Sequence, residues 1–209
     1  MLSLFLAFPF LAPVLLETGH TTSANIIYKF YSILCHQLTF RSFFLFGEQP
    51  VYPRQLAHVD NYLTYEQVTG QSISDLDYAR KFEGNALLGY KIALCERDVA
   101  IYGSLLAFSI LFMIFGKKIK QIPWYFWFIF ALLPIAIDGF SQIPGLSSGW
   151  PSWLPIREST PFLRVLTGSL FGFGTAWYIF PLMEESMRET RLVLARKVAI
   201  IKKFSESKE

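Results

Sequence analysis

Cysteine and charge are both scarce in this sequence. Its 209 residues hold two cysteines, Cys35 and Cys95, too few for a thiol–disulfide relay, which normally needs a second pair. Charged residues make up 17% of the chain, against about 25% in a soluble domain. Internal repeats and low-complexity segments are missing, and the length does not support an inverted-repeat transporter. No nucleophile–base pair, phosphate-binding loop or metal signature stands out, so no reaction is named and no cofactor is clearly implied. The net charge is +3, and no basic patch lies outside the stretches expected to flank a membrane. Nucleic acid is therefore not an expected partner.

What is present in excess is apolar residues. The hydrophobic fraction is 53%, and Phe occurs 21 times. Val99 to Gly116, Gln121 to Ile137 and Val165 to Met183 carry no charge, and Met1 to Leu16 is an apolar run interrupted by Pro9 and Pro13. Crossing the hydrocarbon takes about 20 mostly apolar residues, with about 17 tolerated. The expected fold is all-α: an integral membrane four-helix bundle with spans at 1–16, 99–116, 121–137 and 162–183. The first segment lacks a basic n-region and a clean small-x-small cleavage site, so it reads as a retained helix and not as a signal peptide.

Orientation follows from lysine and arginine. The GKKIKQ loop and the tail after Met183 hold ten of the 19 basic residues but five of the 16 acids. The positive-inside rule places that loop and both termini in the cytoplasm of a multi-pass protein of a cell membrane, with the lipid bilayer as its principal partner. Residues 17–98 then form an outer cap of short helices and loops, 138–161 an outer loop, and 184–209 a cytoplasmic tail. The tail mixes basic residues with Leu192, Val193, Leu194, Val198, Ile200 and Ile201. It reads as an amphipathic helix on anionic lipid, or as a docking segment for another membrane subunit.

Within the cap, Ile26, Ile27, Phe30, Tyr31 and Leu34 recur at helical spacing, suggesting an interfacial helix over Ala24 to Gln37. SISDLDYARKF suggests a short surface helix capped by Ser72 or Ser74 and stopped at Gly84-Asn85. GYKIALCERD leads directly into the second span. The Gly, Pro, Ser and Trp of the second outer loop suggest a loop with interfacial tryptophans. Gly168 and Gly172, four apart in TGSLFGFGTAW, are spaced for close helix approach.

The stretch YSILCHQLTFRSFFLFG places a thiol, an imidazole, an amide and a guanidinium in an apolar setting. These groups suit specific bonding more than mere solvation. Cys35 and Cys95 both fall on the expected outer face, where an even count favours a disulfide. The alternatives are a metal site of Cys35, His36, Cys95 and Asp98, although neighbouring side chains on a helix diverge by about 100°, and a pair of simply buried free thiols. Asp138, Ser141 and Gln142 share a helical face if the third span continues past Ile137. Arg164 opens the fourth span. One reading pairs Asp138 with Arg164 near the interface.

The other reading gathers His36, Gln37, Arg41, Arg97, Asp98, Asp138, Gln142, Arg157, Glu158 and Arg164 into an outward-facing polar pocket. Cys35 would anchor its lid, His36 or Gln37 would bond the Asp138–Gln142 turn, and Arg41 would reach an acid or an anion. The expected function is binding, transport or modification of a small anionic or lipid-linked ligand. The alternative is a non-catalytic accessory subunit of a larger membrane complex, whose polar groups only staple the cap to the bundle.

CHQLTFRSFFLFG, LCERDVAIYGS and DGFSQ followed by REST, LR and LTG together resemble an uncharacterised family of prokaryotic membrane proteins, a domain of unknown function, over Tyr28 to Glu185. The resemblance implies a membrane topology and no activity. In relatives a cysteine stands where this chain has Asp98, and its replacement here argues against dithiol redox chemistry.

Overall fold

A computed structural model describes residues 1–71, 75–143 and 157–206. Its helices are α1 (Leu2–Glu17), α2 (Thr21–Tyr31), α3 (Tyr65–Thr69), α4 (Leu76–Lys81), α5 (Glu96–Ile114), α6 (Trp124–Trp127), α7 (Leu133–Phe140) and α8 (Pro161–Glu206). A π turn over Phe128–Leu132 joins α6 to α7, so Trp124–Phe140 forms one apolar rod. Pro134, at the start of α7, has no N–H to offer the preceding turn, which is where a π bulge relieves the ladder.

The fold is mostly helical but not all-α. The cap contains an antiparallel sheet of three strands, ordered β1 (Ser42–Leu45), β3 (Gly89–Cys95), β2 (Gly84–Asn85). β1 alternates buried and half-buried side chains, the mark of a strand with one face inward. β3 is buried along most of its length, Lys91 included, so its sequence shows no alternation and hides its period. Gly89 sits at φ +77°, and a Cβ there would collide with Leu45 O and with Gly47. Glycine is required where these strands meet.

Several cap boundaries differ from expectation. α2 ends at Tyr31 instead of running to Gln37, and Gln37 has a left-handed backbone, φ 51°. Gly84-Asn85 forms a strand, and α4 has already ended at Lys81. Asp75 caps α4 by accepting from the Tyr78 N–H at 2.8 Å; Ser72 and Ser74 lie outside the described residues, as does most of the second outer loop with its tryptophans.

Among the described residues, two helices are long and apolar enough to cross a membrane, α5 with 19 residues and the Pro161–Ile201 portion of α8 with 41. α1 and the Trp124–Phe140 rod are shorter. α8 packs along α5, the π turn and α7. Its small residues make this possible: a Cβ on Gly168 would lie 2.7 Å from Arg97 O, and one on Gly174 2.7 Å from Ala131 Cβ. One on Gly172 would overlap Ile101 O and Ser104 Oγ. Phe108, Phe112 and Ala176 form the buried seam farther along. The tail is not a separate helix, because α8 continues through it for 46 residues in all.

α1 keeps different company. It packs on α2 and β3, with Ala12 among Ala24, Ile27, Ala93 and Leu94, and Phe5 set edge-on to Tyr102 of α5 at 5.0 Å.

Candidate functional site

Three consecutive residues at the start of α5, Glu96, Arg97 and Asp98, point to three different partners. Successive side chains on a helix turn by about 100°, so the trio fans out over the mouth of the bundle. Glu96 meets Arg164 of α8 at 3.1 Å. Arg97 bonds Asp138 of α7. Asp98 accepts from the Cys95 thiol at 3.1 Å. Each contact opens one part of the site.

The first part centres on Glu158. Its carboxylate takes Arg41 Nε at 2.8 Å, Arg54 Nη1 at 3.0 Å and also Arg164 Nη2. The Glu158, Arg54 and Arg164 side chains are at most 2% exposed. Arg164 also donates to Phe40 O at 3.1 Å, and the guanidinium groups of Arg41 and Arg54 lie 5.6 and 5.1 Å from the centre of the Phe40 ring. Arg41 and Arg54 come from the cap, and Arg164 and Glu96 from the two long helices. The cluster therefore fixes one to the other. Burial lowers the Arg41 pKa, and Glu158 opposes that shift.

The second part centres on Asp138, which α7 carries beyond Ile137. It receives Arg97, Arg157 Nη1 at 3.3 Å, Gln142 Nε2 at 3.1 Å and Ser159 Oγ at 3.1 Å. Arg157 also donates to Ser141 Oγ at 2.5 Å. The expected Asp138–Arg164 pair is replaced: Arg164 is held by Glu158 and Glu96, and Asp138 by Arg97 and Arg157.

The third part is the pair of cysteines, and here the expected disulfide is absent. Both thiols are free. Each sulfur is engaged in hydrogen bonds instead: Cys35 Sγ accepts from the N–H of Cys95 at 3.3 Å and of Gln37 at 3.5 Å, and Cys95 Sγ donates to Asp98. The hydrogen bond with Cys35, then burial and the Asp98 charge, push the Cys95 thiol well above its ordinary pKa. The possible ligand atoms of Cys35, Cys95 and Asp98 all lie within 4.8 Å of one another. His36 is exposed and stays outside this group.

Gln37 does not reach the Asp138–Gln142 turn. Its amide donates inward, to Tyr28 O and Ala93 O, both at 2.9 Å, which holds the left-handed turn that presents Cys35. Lys91, with no exposed surface, donates to Gln37 O at 2.9 Å and Arg80 O at 2.6 Å. Burial lowers its pKa to about 7, against the pull of Glu83.

A cavity of about 530 Å³ lies over these groups, lined by Cys35, His36, Gln37, Arg41, Arg97, Asp98, Gln142 and Arg164 from the expected set. Asp138, Arg157 and Glu158 do not line it; they stand behind the arginines that do. Arg54, Glu96, Lys91 and Ser159 belong to the site but were not singled out by sequence. The ERD triplet was the available signal for Glu96, and its apolar neighbours for Lys91. Arg54 follows Pro53 in an irregular stretch and carries no pattern.

These features define a mostly helical protein with two membrane-length helices and a polar cap seated over their ends. A family described as "Predicted membrane protein (DUF2085)" matches residues 84–178. An uncharacterized protein of Methanocaldococcus jannaschii is 30% identical over 183 residues, covering 84% of this chain and 83% of that protein. The chain belongs to this family of predicted membrane proteins. No solved structure matches it.

Proposed function

We propose that this is a polytopic membrane protein whose cap holds a cationic cavity for an anion of the phosphate or carboxylate type, free or borne on a lipid headgroup. The observation that carries the reading is a charge surplus. Arg41, Arg80, Arg97 and Arg164 line the cavity against Asp77 and Asp98. Behind this lining the charges are closer to balance, since Glu158 faces three arginines, Asp138 two, and Glu96 also pairs with Arg164, so the surplus lies in the cavity wall. Arg97 Nε and Arg164 Nε are buried donors without a hydrogen-bond partner among the described residues. A bidentate anion suits such forks.

In this reading α5, the Trp124–Phe140 rod and α8 cross the bilayer, with the KKIK loop and the tail of α8 inside and the cap outside. α1 packs on β3 through Ala12 and on Tyr102 of α5 through Phe5, so its N-terminal end points along α5 away from the cap, which supports a first helix that runs outward from the cytoplasmic side.

A second reading has an observation of its own. The Glu158 cluster consumes most of its arginine donors in joining the cap to α5 and α8. That is what a non-catalytic accessory subunit of a larger complex needs to hold its shape. Thermal unfolding of purified protein in nonionic detergent separates the two. Stabilisation by inorganic phosphate supports a free anion, and stabilisation only by a short-chain anionic phospholipid supports a headgroup. If neither raises the Tm, and Arg41→Gln responds like the wild type, the anion reading fails and the accessory reading stands.

A further inference from the structure

We infer that Cys35, Cys95 and Asp98 form a binding site for a divalent transition metal, zinc by its chemistry, with a fourth position open to the cavity. The site adds to the anion reading without depending on it, since three protein ligands can bind metal when no anion is present.

The local fold prepares these three groups. Cys95 is the N-cap of α5, and its backbone is extended, φ −74° and ψ 161°. Asp98 lies three residues on, in the first helical turn, so the thiol and the carboxylate come to the same edge of the helix. Cys35 arrives from the other side, on the irregular segment after α2 that Gln37 pins to Tyr28 O and Ala93 O. The donor atoms are within 4.8 Å of one another. Ligands of a tetrahedral zinc, bonded at about 2.0–2.3 Å, lie about 3.3–3.8 Å apart. Closing onto a metal requires at most about 1.5 Å of movement from side chains that share a cavity wall.

Backbone groups also favour charge on the sulfurs once a metal is bound. Two backbone N–H groups point at Cys35 Sγ, and such bonds stabilise charge on a bound sulfur. At Cys95 the N-terminal end of α5 opposes the Cys35 hydrogen bond, the burial and the Asp98 charge that keep the metal-free thiol protonated, and a bound dication displaces that proton. Loading one zinc forms two Zn–S bonds and one Zn–O bond, and the two thiol protons leave to solvent. Two thiolates, one carboxylate and the dication leave one negative charge, with Arg41 and Arg97 lining the same cavity. Two sulfur ligands select zinc over magnesium or calcium. Three protein ligands with an open fourth position are the arrangement found in catalytic zinc sites.

The test is metal content and cobalt substitution on tag-free protein. Elemental analysis after expression with zinc is expected to give one equivalent per chain. Co²⁺ added to chelator-treated protein is expected to give thiolate-to-metal charge-transfer bands and tetrahedral d–d bands. Cys35→Ser and Cys95→Ser, checked for monodisperse elution, lose both signals. His36→Ala keeps full stoichiometry. Asp98→Cys keeps the metal with a stronger charge-transfer band, which tests the site even if the serine variants fold poorly. Absence of cobalt bands at saturating metal in the wild type overturns the site, as do bands that survive Cys35→Ser and Cys95→Ser. The anion reading is tested in zinc-free protein, so either can fail alone.

Discussion

Arg164 Nη1 donates to Glu96 Oε2 at 3.1 Å, joining the first turn of α8 to the first residue of α5. Through its other nitrogen Arg164 reaches Glu158, and through Glu158 the cap arginines. The two long helices and the cap therefore share one buried electrostatic joint.

Removing Glu158 takes the shared carboxylate away from three guanidinium groups, two of them almost wholly buried. Breaking one partner of a buried ion pair costs about 3–5 kcal/mol. Glu158→Ala is expected to lower the unfolding temperature sharply in detergent, and Glu158→Gln to do so less. An unchanged Tm in both would mean that the joint does not hold the cap.

Glycines on α5 and α8 should respond oppositely to the same added methyl. Gly172→Ala drives a Cβ into Ile101 O and Ser104 Oγ of α5. Overpacking of this kind costs about 1–3 kcal/mol. Gly103→Ala meets nothing within 4 Å and should be neutral or stabilise by up to about 1 kcal/mol, the helix-propensity gain. Thermal unfolding of both variants checks the pair; equal effects would contradict the close α5–α8 approach.

Lys91 gives a pH signature. Its folded pKa of about 7 lies below the ordinary value of 10.5, so between those values the unfolded chain binds the proton and the folded chain does not. Stability therefore rises with pH across that window, by up to about 1.4 kcal/mol per pH unit. Glu83, Cys35 and Arg80 are the neighbouring groups. Denaturation midpoints from pH 7 to 10 should climb in the wild type and flatten in Lys91→Met. Parallel curves would show that Lys91 stays protonated.

Topology is open to labelling with a membrane-impermeant maleimide. Ala195→Cys, exposed on the tail, should react only from the cytoplasm, and so should Ser3→Cys. Reaction of Ser3→Cys solely from outside would show that α1 does not begin on the cytoplasmic side.

The long apolar runs made α5 and α8 legible, because a span is written in consecutive residues. The cap was less so. β3 lost its alternation by being buried on both faces, and α1, apolar enough to resemble a span, packs on that strand. Among the site residues, Arg41, Glu158 and Arg164 stood out as charges in apolar surroundings. Their pairing did not, since Arg41 and Glu158 are 117 positions apart and Asp138 and Glu158 compete for the same arginines. The cysteines were legible as a pair, but the choice among disulfide, metal site and free thiols was not. Hydrogen bonds from the Cys95 and Gln37 backbones decide that, and no side-chain pattern records them.

The unbroken course of α8 makes the protein a lever. A helix of 46 residues is about 69 Å long, more than twice the thickness of the hydrocarbon layer. Arg164, in its first turn, sits at the fulcrum, locked to Glu96 and Glu158. A tilt of about 5° at that joint would swing the far end by about 6 Å. Whatever grips the tail is therefore mechanically connected to the arginines under the cap.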